Sequence, residues 1–161
     1  MDFGFAQDPT ACVEVYVFGD CLYIYNESVR KGLELDKTAE FIVSRMPKAK
    51  DYVIRADNSR PESISYLRRN GLPKITACQK GRGSVEDGIE FMKSFQKIII
   101  HPQCRETIKE FGAYSYKTDR LTGDVLPVII DAYNHCIDAI RYAIEPMIKV
   151  KGQVRETPLW L

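Results

Sequence analysis

The sequence lacks any run of about 18 apolar residues, which excludes a membrane-spanning helix. Its opening, Met1-Asp2-Phe3-Gly4, has neither a basic stretch nor an apolar core of the secretory kind, so no export signal is expected. Cysteine pairing is missing too. The five cysteines (12, 21, 78, 104 and 136) are scattered, odd in number and form no CxxC. That argues against a disulfide framework or a zinc site and suits a reducing compartment. No GxxxxGK[ST] loop is present, and Gly81-Arg82-Gly83 is too short to cradle a nucleotide. There is no serine or cysteine nucleophile motif, no internal repeat and no low-complexity linker.

What remains is an ordinary globular composition. The chain has 161 residues, 45% hydrophobic and 28% charged, enough for one domain with a real core. The net charge of +1 alone predicts no nucleic-acid partner. Its distribution says more. Residues 1–40 hold eight acids and three bases, whereas 63–85 hold Arg68, Arg69, Lys74, Lys80 and Arg82 and no acid. One region can concentrate cations while another meets phosphates; an unevenly charged, solvated surface explains the same pattern.

The local patterns read as alternating elements. Met1–Phe5 is a very short candidate strand. Val13–Phe18 and Leu22–Tyr25 form a hairpin about Gly19-Asp20. Asp36 is placed to cap a helix ending at Pro47. Tyr52–Asp57 reads as a buried strand ending on a carboxylate. Pro61 opens a helix that Gly71 closes. Ile75–Cys78 and Lys97–Ile100 are further strands. Ser84 with Asp87 gives a capping-box-like start to a helix through Phe95, and Cys104–Phe111 is another helix. Tyr114–Leu126 reads as a protruding hairpin or loop. A last helix is expected from about Asp131 to Glu145, limited by Pro146, with a polar tail over Lys149–Leu161. The order implies an α/β mixed sheet, its three leading strands antiparallel and the later ones parallel, with helices on both faces.

The last helix carries chemistry. Asp131, His135 and Asp138 fall at i, i+4 and i+7, on one face. Cys136, Ile140 and Ala143 form another face that can be buried. Carboxylates leaving water need a partner or a cation. Asp2, on the first strand, and Asp57, at a strand's carboxyl end, lie side by side if those strands are neighbours, and the helix can lay Asp138 across from them. Three such acids cannot all ionise without a cation. Oxygen donors select Mg²⁺ or Mn²⁺, and a pair of ions about 4 Å apart can drive phosphodiester hydrolysis. His135 can orient a water or assist proton transfer. Taken singly, an aspartate at a strand end is more often a turn or cap residue, a lone histidine is more often a satisfied core residue, and Asp8 before Pro9 reads as a turn former. Lys80, Arg82, Arg68 and Arg69 are candidates for DNA-backbone contacts.

Four segments carry a resemblance. They are Asp2–Ala11, Ala56–Ile64, Lys80–Val85 and Asn134–Tyr142, in that order and at that spacing. Together they resemble the nuclease domain of the large terminase subunit of tailed bacteriophages, from residue 2 to about 145. The resemblance implies a ribonuclease-H-like fold over residues 1–148, a tail over 149–161, and a two-metal endonuclease that cuts concatemeric viral DNA during packaging in the host cytoplasm. It carries the acidic triad onto Asp2, Asp57 and Asp138, the histidine onto His135 and a further acid onto Asp131. It implies that Tyr114–Leu126 governs DNA access, and that the partners are a packaging ATPase domain missing from this chain, a portal and a small terminase subunit. With only Met1 before Asp2, the first strand is expected to be clipped and Asp2 loosely placed. A non-catalytic DNA-guiding module, and a junction-resolvase-like or transposase-like nuclease of the same fold, are the alternatives.

Overall fold

The computed structural model describes residues 1–4, 8–81, 83–113, 116–118, 125–129 and 134–151; for 116–118, 125–129 and 149–151 it describes the backbone alone. The chain starts with an antiparallel hairpin, β1 (Pro9–Phe18) and β2 (Cys21–Lys31), turning at Gly19, whose φ of 58° suits a residue without Cβ. Both strands are longer than their apolar stretches suggest, because pairing runs on to Pro9↔Lys31 through polar residues. After helix α1 (Leu35–Arg45) and a single 3₁₀ turn come β3 (Ile54–Ala56), α2 (Pro61–Arg69), β4 (Ile75–Ala77), α3 (Ser84–Lys93), β5 (Lys97–Ile100) and α4 (Arg105–Ala113). A small antiparallel pair, β6 (Tyr116–Thr118) and β7 (Val125–Ile129), precedes α5 (His135–Lys151).

Two strand groups are joined by two residues. β5 lies parallel to β2, on the side away from β1, and β3 lies parallel to β4. Met1 and Asp2 fill the gap between the groups. Asp2 exchanges both backbone hydrogen bonds with Ala11 of β1, and Met1 is bonded through its amine to the Arg55 carbonyl and through its carbonyl to the Asp57 N–H. Met1 and Asp2 thus have backbone partners on both sides, Asp2 through an isolated bridge to Ala11, and Asp2 is bonded in place rather than loose. Met1 is buried, and burial lowers its amine's affinity for a proton.

Neighbouring β1 residues face opposite ways, and each face has its own core. Cys12 joins Met1, Ile42, Ile64, Leu67 and Ile75, under α1 and α2. Val13, Val15 and Val17 pack with Leu22, Ile24, Ile89, Met92, Ile137 and Ile140, under α3 and α5.

β3 is shorter than expected, at Ile54–Ala56, and α5 starts at His135 rather than near residue 131; three other helix ends differ as well. α1 begins at Leu35 behind Glu34, with no side-chain cap from Asp36. α3 is preceded by Gly83 at φ 80°, which stands at the cap position in place of Ser84 and supplies no side chain. α5 passes through Pro146 to Lys151. Proline removes one intrahelical bond, but Ile137, Ile140 and Ile144 anchor the helix over the core, so the expected stop is overridden.

Candidate metal centre

Asp2 owes its position to the Met1–Asp2 insertion. Its carboxylate is mostly buried, and Oδ2 lies 3.0 Å from Nδ1 of His135, the first residue of α5. The bond with Asp2 raises the His135 pKa against the opposing effect of burial. The other ring nitrogen, Nε2, lies 3.9 Å from Oδ1 of Asp8, an exposed side chain just ahead of β1.

Asp57 follows β3 directly. Its Oδ1 accepts the Ser59 N–H at 2.9 Å, a local turn bond of the kind aspartate favours, and the Lys80 ammonium at 2.6 Å. Lys80 comes within reach because Cys78 donates to the Ala56 carbonyl, prolonging the β3–β4 ladder. Burial pushes the Asp57 carboxyl up, yet Lys80 and Ser59 outweigh it, and the pKa is lowered. That of Lys80 is raised although burial opposes it, through bonds to Asp57 and Tyr142. Burial, against the opposing pull of Lys80, pushes the Tyr142 phenol up to about 12.

Asp138 lies in the first turn of α5, where its N–H donates to the Asn134 carbonyl. Its Oδ1 accepts both Nε and Nη2 of Arg141, at 3.0 and 2.7 Å. Burial raises its pKa, and the charge of Asp2 adds to that rise; Arg141 opposes both. The start of α5 is held by Glu110 of α4, whose buried carboxylate accepts the N–H groups of Cys136 and Ile137. α4 is held the same way by Glu27 of β2, which accepts from Glu106, Thr107 and the Thr107 hydroxyl.

The three acids thus share a neighbourhood, and each meets a different cationic or protonatable partner: Asp2 with His135, Asp57 with Lys80, Asp138 with Arg141. Among the described residues no three histidine, cysteine, aspartate or glutamate side chains stand close enough to hold one ion together. The donors themselves, carboxylate oxygens with an imidazole, suit a hard divalent cation. Asp131 and Arg82 lie outside the described residues. Arg68 and Arg69 end α2, whose other end follows Asp57. The Arg68 guanidinium binds the Ile75 carbonyl, at the end of β4 away from Lys80, so those arginines are not grouped with Lys80. A cleft of about 340 Å³ adjoins the centre, lined by Lys80, Gly81, Asp87, Arg141, Tyr142 and Glu145 among others.

Sequence reasoning gave no role to Arg141, Glu110 or Tyr142, and read Asp8 as a turn former. Arg141 had a signal, three residues after Asp138 on the same helix. Glu110 had none, since its partners are backbone groups of another element. Asp8 was set aside because a proline follows it.

The family model for the terminase RNase H-like domain matches residues 2–146. The terminase large subunit of Bacillus phage SPP1 is 36% identical over 156 residues, covering 94% of this chain and 36% of that protein. The PBSX phage terminase large subunit of Bacillus subtilis is 30% identical over 147 residues, covering 90% and 33%. The chain therefore spans about a third of the length of these relatives. Among solved structures, the large terminase nuclease domain of bacteriophage SPP1 with bound Mn superimposes with a TM-score of 0.82 at 35% identity, covering 91% of this chain and 83% of that one. The large terminase of a thermophilic bacteriophage shares the fold at 18% identity and a TM-score of 0.69, covering 91% and 38%. A chain matched from its second residue to its last helix, and 36% identical to a large terminase subunit over 94% of its length, belongs to the terminase ribonuclease-H-like nuclease family.

Proposed function

We propose that the chain is a Mg²⁺- or Mn²⁺-dependent endonuclease that cuts double-stranded viral DNA, as concatemers, during genome packaging. The observation that carries this reading is that three distant segments meet: the Met1 carbonyl, next to Asp2, accepts the Asp57 N–H, and His135, three residues before Asp138 on the last helix, is bonded to Asp2. The bound Mn of the SPP1 nuclease domain supports it. Asp2, Asp57 and Asp138 would hold two ions, with Asp131 as a further candidate ligand. When bound, such ions supply activation of a water and stabilisation of the leaving oxygen. His135 fixes the orientation of Asp2 through Nδ1 and keeps Nε2, on the Asp8 side, for a proton or a water. Lys80 meets the DNA backbone, with Arg82 as a further candidate. Contacts of that kind position a duplex without reading it, so cutting has little sequence preference. The partners of this reading are DNA, the packaging ATPase domain of the full subunit, a portal and a small terminase subunit, in the host cytoplasm.

Supercoiled plasmid incubated with the protein and Mn²⁺ becomes nicked and then linear, and a chelator stops it. Asp57→Asn and Asp138→Asn each reduce cutting to background. Cutting that survives both substitutions overturns the assignment.

A second reading has its own observation. Each acid already meets a partner within the chain, which favours a non-catalytic module that guides DNA. It requires duplex binding with no Mn²⁺-dependent cutting in the same assay.

A further inference from the structure

The partners of the three acids are held in different ways. The Arg141 side chain is 5% exposed. Two of its nitrogens bind Asp138 Oδ1 and a third donates to the Ser84 carbonyl at 3.3 Å. Its stem is wedged against α3, where a Cβ on Gly88 would meet its Cδ at 2.9 Å. Arg141 is pinned along its length.

Lys80 is held at one end. Its Nζ makes a 2.6 Å contact with Asp57 Oδ1, and its side chain is 33% exposed. The ammonium lies 4.7 Å from the centroid of the Tyr142 ring. It borders the adjoining cleft, which Asp87 and Glu145 also line. Lysine is a compact charge on a flexible stem, so it can leave one oxygen without disturbing the fold. A divalent ion and an ammonium on one carboxylate oxygen repel each other strongly. The two acids of the cleft give a released ammonium somewhere to go while it keeps the Tyr142 ring it already meets.

We infer that Lys80 is a placeholder cation, which neutralises Asp57 in the metal-free protein and swings from it into the cleft when a divalent ion binds, while Arg141 stays on Asp138 as a fixed charge. This rests on the reading of Asp57 as a metal ligand. The exchange keeps Asp57 compensated in both states, which a half-buried carboxylate requires. It also delivers the positive charge of Lys80 to the cleft only once the metal is in place.

Calorimetric titration of Mn²⁺ into the wild-type chain, Lys80→Met, Lys80→Gln and Asp57→Asn tests it. Removing the competing cation tightens Mn²⁺ binding about twofold to fivefold in both Lys80 variants. In the wild-type chain, saturation with diamagnetic Mg²⁺ shifts the Lys80 Cε–Hε resonance, assigned by its loss in Lys80→Arg. Unchanged or weaker Mn²⁺ binding by the Lys80 variants, or a Lys80 resonance that Mg²⁺ does not move, overturns the inference. If instead the wild-type chain binds no Mn²⁺, or Asp57→Asn binds it equally well, the metal-ligand reading itself is what falls.

Discussion

His135 Nδ1 lies 3.0 Å from Asp2 Oδ2, tying the first turn of α5 to the Met1–Asp2 segment between β1 and β3 across 133 positions of sequence. The bond holds two of the centre's residues in register, and it is strongest when the imidazole is charged and donates to the carboxylate.

That charge dependence gives a pH signature. The His135 pKa is raised, first by the bond to Asp2. A folded-state value above the unfolded one means the pair's contribution is fully present below about pH 6.5 and is lost as pH rises through the folded value. In metal-free protein, the margin of stability of wild type over His135→Gln is therefore widest near pH 5.5 and narrows toward pH 8.5. Urea denaturation of both proteins across that range measures it. A margin independent of pH would mean that the ring acts by packing alone.

Glu110 is a second control point, one element removed. Its buried carboxylate caps the backbone N–H groups of Cys136 and Ile137, between His135 and Asp138. Glu110→Ala leaves two buried donors without an acceptor, at a cost of about 1–3 kcal/mol. Glu110→Gln keeps an acceptor oxygen and recovers most of that loss. Chemical denaturation compares the three proteins, and equal losses in both variants would contradict a capping role.

How much of this was legible in the sequence follows from how far each determinant reaches. Gly19-Asp20, Pro61 and Lys97–Ile100 gave a turn, a helix start and a strand because each rests on local chemistry, and the structure has all three. Pro146 misled because the core beneath α5 is assembled from distant residues and overrides a local breaker. Asp2, Asp57 and Asp138 were visible as acids at element ends. That each meets its own partner was not visible, because Lys80 lies 23 positions from Asp57 and His135 lies 133 from Asp2.

Gly4 guards the placement of Asp2. Its N–H donates to the Thr10 hydroxyl, and a Cβ there would fall on backbone atoms of Asp8, Pro9 and Thr10. Backbone cannot swing aside as a long side chain can. Gly4→Ala therefore forces the Asp2 segment away from β1, with a destabilisation of about 3 kcal/mol or more. The His135–Asp2 bond loosens with it, so the variant also loses the part of the pH dependence that this pair supplies. Thermal melts at pH 5.5 and 8.5 measure both effects, and a wild-type melting profile would show that the chain relaxes around the methyl group.

Arg141 and Asp138 form the most buried ion pair of the centre, at 5% and 18% side-chain exposure. Removing one partner of such a pair strands the other, at a cost of about 3–5 kcal/mol, whereas removing both is far milder. Arg141→Met retains much of the stem that packs on Gly88 but leaves Asp138 uncompensated. Arg141→Met with Asp138→Asn is therefore more stable than Arg141→Met alone, with a coupling of about 1–3 kcal/mol in a double-mutant cycle. The pH dependence has a definite sign. Burial raises the Asp138 pKa while Arg141 opposes the rise. A raised carboxyl favours the fold when protonated, and that advantage disappears as pH climbs from the unfolded value through the folded one. Without Arg141 the folded value climbs further, so the deficit of Arg141→Met grows between pH 4.5 and pH 7.5 in metal-free protein. A deficit equal at both pH values would leave Arg141 a packing residue and free Asp138 from any dependence on it.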